Sequence, residues 1–313
     1  MARVIQYTEF GGPEVLTLAD VAVPAPGPGQ LAVRIEAAGV NPVDWKQRSG
    51  LRKTGAITTP RRPGSDGAGH VTAVGDDVEG FAVGDEVVLF GATGLYATDV
   101  VVSAAHVLPR PPQVTAAQGA AIGIPAGTAY QALRSLDVTS ADTLLIHGGS
   151  GAVGQAAIQF AALWGATVLA TASPRRFDRV RELGATPLVY GDGLVDRVKD
   201  ADPAGVTVVL DAAGTDEALE ASLALLADTD RIATLVRGAD AAALGIQAYS
   251  GGAPHPLTAQ QEAWRVEAMP VTLALMAAGA FSVELGPSFP LAEAAEAHRI
   301  VHAGVDGKVT LLP

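Results

Sequence analysis

The hydrophobic positions change period twice along this chain. Up to about Pro112 they come as short β-branched runs broken by Gly, Pro and Asp, as at 31–36, 69–74, 86–90 and 99–102, and the spacing predicts a bent, partly closed β-domain. Pro24, Pro26 and Pro28 are rigid and lack an N–H, so they predict an extended surface connection between strands. From Ala116 to Ser135 the chain turns alanine-rich and helix-compatible, with Pro125 and Gly127 marking an internal break. A short apolar run at 143–146 then leads through glycines into a helix whose Val153, Ala157, Phe160, Ala161 and Trp164 share one stripe. Strands at 167–171, 206–210 and 231–236 alternate with helices at 175–183 and 217–226, which predicts βαβ units and a mainly parallel sheet. Beyond a turn-rich segment at 250–256, helices are expected at 264–278 and 292–303, and a last strand at 308–312. That strand needs a sheet, and the N-terminal β-domain is the candidate. The expected organisation is a discontinuous β-rich domain, 1–123 plus 256–313, with a nucleotide-binding domain, 124–255, inserted.

Composition narrows the class. The 313 residues are 49% hydrophobic and 17% charged, enough apolar surface for two cores and too much for a disordered chain. A formal charge of −12 opposes nucleic acid and anionic membrane, although a small basic pocket still binds phosphate. There is no cysteine, which excludes disulfides, thiolate catalysis and Cys-ligated zinc or iron–sulfur centres. The N-terminal stretch has one basic residue followed by strand-like alternation and no apolar leader core, and apolar stretches elsewhere are interrupted or divide into loop, helix and strand. A cytoplasmic chain with no membrane insertion is expected.

The sharpest local pattern is His147-Gly148-Gly149-Ser150-Gly151-Ala152-Val153-Gly154, in which Gly149, Gly151 and Gly154 form GxGxxG between an apolar strand and an amphipathic helix. There the first glycine permits a tight turn, the second lets the backbone approach a pyrophosphate, and the third lets helix and sheet pack closely, with the diphosphate over the helix N-terminus. An NAD site places Asp or Glu about 20 residues further on, to accept from the ribose 2′-OH. Here Ser173, Arg175 and Arg176 stand after the next strand and no carboxylate comes before Asp178. Two arginines at a helix start are electrostatically unfavourable unless a phosphate lies nearby, so NADPH is the expected cofactor.

Several blocks in order carry a resemblance over essentially the whole chain: Asn41-Pro42-Val43-Asp44, Pro63 through Gly69, Phe81 through Val87, Ala126 through Leu133, 147–159, Leu183-Gly184-Ala185 and the closing Gly307-Lys308-Val309. With these the sequence resembles the zinc-independent medium-chain dehydrogenase/reductases, in particular the NADPH quinone oxidoreductase-like group that includes zeta-crystallin. The resemblance implies an α/β protein with a GroES-like β-rich catalytic domain, an inserted Rossmann-type doubly wound parallel sheet domain, and a homodimer. Zinc-containing relatives use a Cys near the position of Asn41 and a His where Ser65 stands, so no metal is expected.

The same resemblance assigns roles. It places Asn41 near the nicotinamide in a cleft between domains, with Asp44 holding the loop; an Asx turn around Pro42 is the local alternative. Thr128 would touch the cofactor, or cap a helix beginning at Ala129. Arg176 falls at a family lysine position and Tyr190 at a tyrosine near the 2′-phosphate. Lys308 would orient backbone or reach the cofactor, or be a solvated strand-edge lysine. Trp45, and Tyr249 in a loop able to cover the substrate, would build an aromatic wall. Tyr96 and Tyr249 are the tyrosines considered as proton donors. With no Lewis acid to polarise an isolated ketone, the implied activity is hydride transfer to a hydrophobic quinone. Reduction of an α,β-unsaturated carbonyl, including as a step in a biosynthetic pathway, and a non-enzymatic NADPH-binding role stay open as alternatives.

Overall fold

The computed structural model describes residues 1–52, 55–249, 253 and 255–313. It divides into two units, Met1–Ile124 with Met269–Pro313, and Pro125–Ala268. Both crossings lie in helices beside a proline: Gly123–Ser135 carries Pro125 in its first turn, and Ala259–Ala277 carries Pro270 inside it. The expected second boundary, 255/256, follows a turn-rich segment of which residues 250–252 and 254 lie outside the described residues. The first half of Ala259–Ala277 belongs to the second unit because it is tied to Gly123–Ser135. Tyr130 donates its hydroxyl to Glu267 (2.8 Å) and Arg265 Nη2 donates to Thr128 Oγ1 (3.2 Å).

The first unit is built on a seven-stranded sheet. Leu285–Pro290, Lys308–Leu312, Gln30–Gly39, Asp66–Val74, Glu86–Phe90 and Val107–Pro109 follow one another across it, and Asp99–Ser103 also pairs with Gln30–Gly39. The C-terminal strand joins this N-terminal sheet, with Thr310 opposite Gly39 and Leu311 opposite Ala38 in antiparallel register. Ala2–Gln6 and Thr17–Val21 form a separate antiparallel pair. Inward residues Leu31, Val33, Ile35, Val71, Val87, Leu89, Val309 and Leu311 make the core, and Leu291, Ala294 and Ala297 close over it. Their spacing of two puts them on one face of the sheet, and the other face is covered in part as well, since Ala32, Ala68 and Val88 are also buried.

The second unit holds a six-stranded parallel sheet in the order Thr186–Leu188, Thr167–Thr171, Thr143–His147, Val208–Asp211, Ile232–Thr234, Gln247–Ala248. Numbered along the chain, that is the doubly wound order 3-2-1-4-5-6. Leu144, Leu145 and Ile146 are wholly buried, which is why this strand shows a continuous apolar run and no alternation. The expected break at Pro125 and Gly127 lies earlier, at residues 120–122 between helices Ala116–Gly119 and Gly123–Ser135. Pro125 is tolerated because a first-turn N–H has no intrahelical acceptor to lose. Among the described residues no helix is long and apolar enough to cross a membrane.

Candidate functional site

Strand order in the second unit reverses between Thr143–His147 and Val208–Asp211, whose carboxyl ends bring His147 opposite Asp211. A parallel sheet leaves its crevice at this point, and the glycine loop opens there. The turn glycine is Gly148 (φ +78°), one residue before the place the GxGxxG pattern suggests. Gly149 is needed for a steric reason, since a Cβ there would stand 2.6 Å from Ala170 Cβ. A Cβ on Gly154 would lie 2.2 Å from the Gly148 carbonyl oxygen, so this glycine lets the helix Ala152–Leu163 close on the loop. Gly151 differs: its nearest neighbour would be Gly148 O at 3.5 Å, and its bare backbone is exposed. Among the described residues no tight contact requires that missing side chain, so the space fits close approach of a diphosphate to the helix N-terminus. Ser150, Ala152 and Val153 flank it, all at least partly exposed.

Two polar residues that the sequence did not single out brace the loop. Gln155 Nε2 donates to Ser150 O (2.9 Å), and Arg179 Nε donates to Gln155 Oε1 (3.0 Å). Arg179 lies on Phe177–Glu182, so this chain of bonds ties the loop to the segment carrying Ser173, Arg175 and Arg176. That segment begins as a 3₁₀ turn, Pro174–Arg176, and not as the single helix expected from 175, because proline pre-sets a tight first turn. Arg175 is exposed and Arg176 half-buried, beyond a strand end with no carboxylate. Asp211 is buried, accepting from Ala213 N (2.9 Å), Gly214 N (2.8 Å) and the Thr234 hydroxyl (2.7 Å), which fixes the opposite rim of the crevice.

The first unit contains a buried polar cluster. Asn41 ends the chain's passage from Gln30–Gly39 and opens the helix Pro42–Arg48. Its backbone N–H donates to Asp44 Oδ2 (2.8 Å), while its side-chain Nδ2 donates to Asp66 Oδ2 (2.9 Å) and its Oδ1 accepts from Lys308 Nζ. Asp66 Oδ2 also accepts from Ile124 N (2.9 Å), and the Tyr96 hydroxyl donates to Asp44 Oδ2 (2.8 Å). All five side chains are buried. Burial is the leading cause of every shift here: it pushes Asp44 up to about 6, raises Asp66, lowers Lys308 and holds Tyr96 well above its usual range.

The human quinone oxidoreductase is 32% identical over 333 aligned positions that cover all of this chain and 98% of the relative. The alcohol dehydrogenase GroES-like domain matches residues 27–112, and the zinc-binding dehydrogenase domain matches 152–246. The chain belongs to the zinc-independent quinone oxidoreductase group of the medium-chain dehydrogenase/reductase superfamily. Solved structures agree: the Coxiella burnetii quinone oxidoreductase superposes with a TM-score of 0.84 at 28% identity, covering 100% of this chain and 99% of the other. Escherichia coli quinone oxidoreductase complexed with NADPH also gives 0.84, at 25% identity and full coverage of both chains.

This family member does not carry the donor set of a zinc enzyme. It has no cysteine and has Ser65 in the glycine-rich block, and among the described residues no group of three or more His, Asp or Glu could hold an ion. Other candidate residues sit differently from expectation. Thr128 lies inside a helix, so it is no cap, and its hydroxyl accepts from Arg265. Lys308 is no solvated edge lysine, because its ammonium is drawn into the Asn41 cluster. Trp45 packs against His302, ring centroids 4.2 Å apart, because both lie on faces where Pro42–Arg48 meets Ala294–Ala303. Tyr249 follows Gln247–Ala248 outside any strand or helix, as expected of a loop residue, but it is buried, and burial raises its pKa. Tyr190 is 56% exposed.

Proposed function

We propose that this oxidoreductase uses NADPH to reduce a quinone-type acceptor. The observation that carries the reading is the open backbone at Gly151, set at the topological switch point, with Ser173, Arg175 and Arg176 where an NAD site would place a carboxylate. The NADPH held by the Escherichia coli neighbour and the name of the human relative support it. Residues 149–154 would receive the diphosphate on backbone N–H groups, and Ser173, Arg175, Arg176 and the exposed Tyr190 would hold the 2′-phosphate. Thr128 and Asn41 are the proposed nicotinamide-end residues.

Bound NADPH supplies a hydride. The chain's own part is to orient, to exclude water and to place charge, and with no metal donor set it favours an acceptor whose conjugation spreads the incoming negative charge. A cytoplasmic homodimer is part of the same proposal. Fluorescence titration with NADPH and NADH tests the cofactor, and equal dissociation constants would reject that half. NADPH oxidation measured with benzoquinones, naphthoquinones and conjugated enones tests the acceptor: fastest turnover on quinones is expected, fastest turnover on enones would replace the reading with enone reduction, and binding without acceptor-dependent turnover would leave only a cofactor-binding protein.

A further inference from the structure

We infer that Lys308 and Asp66 are positioning residues that lock the side-chain amide of Asn41 in one orientation; the inference rests on the proposed reaction-end role of Asn41. The three residues are brought together by strand pairing alone. Asp66 opens a strand in which it pairs with Gly39, two residues before Asn41, and Lys308 opens the strand whose Thr310 also pairs with Gly39. Three strand ends therefore converge where the chain turns into Pro42–Arg48. Close backbone approach is built in: a Cβ on Gly39 would stand 2.0 Å from Ala120 O and 3.3 Å from Lys308 Cε, and one on Gly123 would stand 2.1 Å from Asp66 Oδ1.

The chemistry of the partners removes the usual ambiguity of an amide. An ammonium only donates and an ionised carboxylate only accepts, so with Lys308 on Oδ1 and Asp66 on Nδ2 a flipped amide would face donor with donor and acceptor with acceptor. Asp or Ser cannot take this place, because it needs an acceptor and a donor held apart on one short side chain. The composition is consistent with that demand. Asn41 is the single asparagine among 313 residues, and the chain has only 4 lysines against 17 arginines, one of them buried on this amide. A buried ion pair is weak support for stability, since apolar packing of equal volume serves as well. Lys308 Nζ and Asp66 Oδ2 are also 3.9 Å apart, too far for a direct hydrogen bond, with Asn41 bridging them.

Because the chain has one asparagine, labelling with asparagine carrying ¹⁵N in the side chain places a single NH₂ reporter in the cofactor-free protein. The expected wild-type spectrum has two well-separated, slowly exchanging side-chain protons. Lys308→Met should collapse their separation and speed their exchange by about tenfold or more, and Lys308→Arg should restore part of it. Lys308→Met together with Asp66→Asn removes both charged partners of the amide at once and should show the same loss, which keeps the test valid if the single variant folds poorly. In turnover, Lys308→Met should lower the saturated rate about tenfold with the NADPH dissociation constant within about twofold, and should add less than about twofold in an Asn41→Ala background. An unchanged amide spectrum, additive rate losses, or a loss confined to NADPH affinity would overturn the inference. An Asn41→Ala enzyme with an undiminished saturated rate would instead reject the reaction-end role of Asn41, while the spectrum still decides the clamp.

Discussion

Lowering the pH should destabilise the first unit through one histidine. His298, on the helix Ala294–Ala303, is wholly buried, and neither ring nitrogen has a hydrogen-bond partner among the described residues. Its ring meets Tyr96 edge-on at 5.8 Å. Burial first, and then the Arg48 guanidinium, push its pKa down to about 3. An unfolded histidine titrates near 6.5, so the folded protein keeps His298 neutral where the unfolded chain takes up a proton. The depressed value makes this contribution to stability fully present above about pH 6.5 and progressively lost as pH falls toward the folded pKa. Between pH 7 and pH 5 the loss amounts to about 2 kcal/mol, and it is set by the unfolded pKa because the folded ring is unprotonated at both.

Other groups contribute to the raw curve. His147, lowered to about 4 chiefly by burial, acts in the same sense, and Asp44, raised to about 6, acts in the opposite one. The His298→Leu variant isolates the effect by difference. Urea unfolding can be followed through Trp45, which packs on His302 of the same helix, in a background where Trp164 and Trp264 are phenylalanine. Whatever the offset between variant and parent at pH 7, it should move by about 2 kcal/mol in favour of His298→Leu at pH 5. An offset that is the same at both pH values to within about 0.5 kcal/mol would refute the reasoning.

The glycine loop offers a contrast between neighbours. Gly154→Ala should destabilise the cofactor-free protein by about 1–3 kcal/mol in thermal or urea unfolding, because its Cβ meets backbone, whereas Gly151→Ala should leave that stability nearly unchanged and weaken NADPH binding. Arg176→Ala should weaken NADPH by about 1–3 kcal/mol in a fluorescence titration and leave NADH almost unaffected. Treatment with a strong chelator should leave turnover unchanged, and elemental analysis showing stoichiometric zinc whose removal abolishes activity would contradict the donor-set argument.

What the sequence determined by itself is what local chemistry can encode. The strands Glu86–Phe90, Thr143–His147 and Thr167–Thr171 and the loop between His147 and Gly154 announce themselves because each is a contiguous run whose period and glycines have meaning within a few residues. The short elements Thr186–Leu188, Gln247–Ala248 and Leu285–Pro290 have no such signature: two or three residues, or a strand holding Pro287 and Pro290, carry no period of their own and become strands only by pairing with a neighbour. The GxGxxG pattern points one residue past the turn glycine for a similar reason, since Gly149 is demanded by a contact with Ala170 on the adjacent strand. The reaction-end cluster is the clearest case. Asn41, Asp44 and Lys308 could be named from motifs, but Asn41 and Lys308 are 267 residues apart, and Asp66 and Tyr96 show nothing locally of their role. Only the sheet that joins the last strand to the third converts those five polar residues into one buried network, because burial, which shifts every pKa in it, is a property of the packed chain and not of any segment.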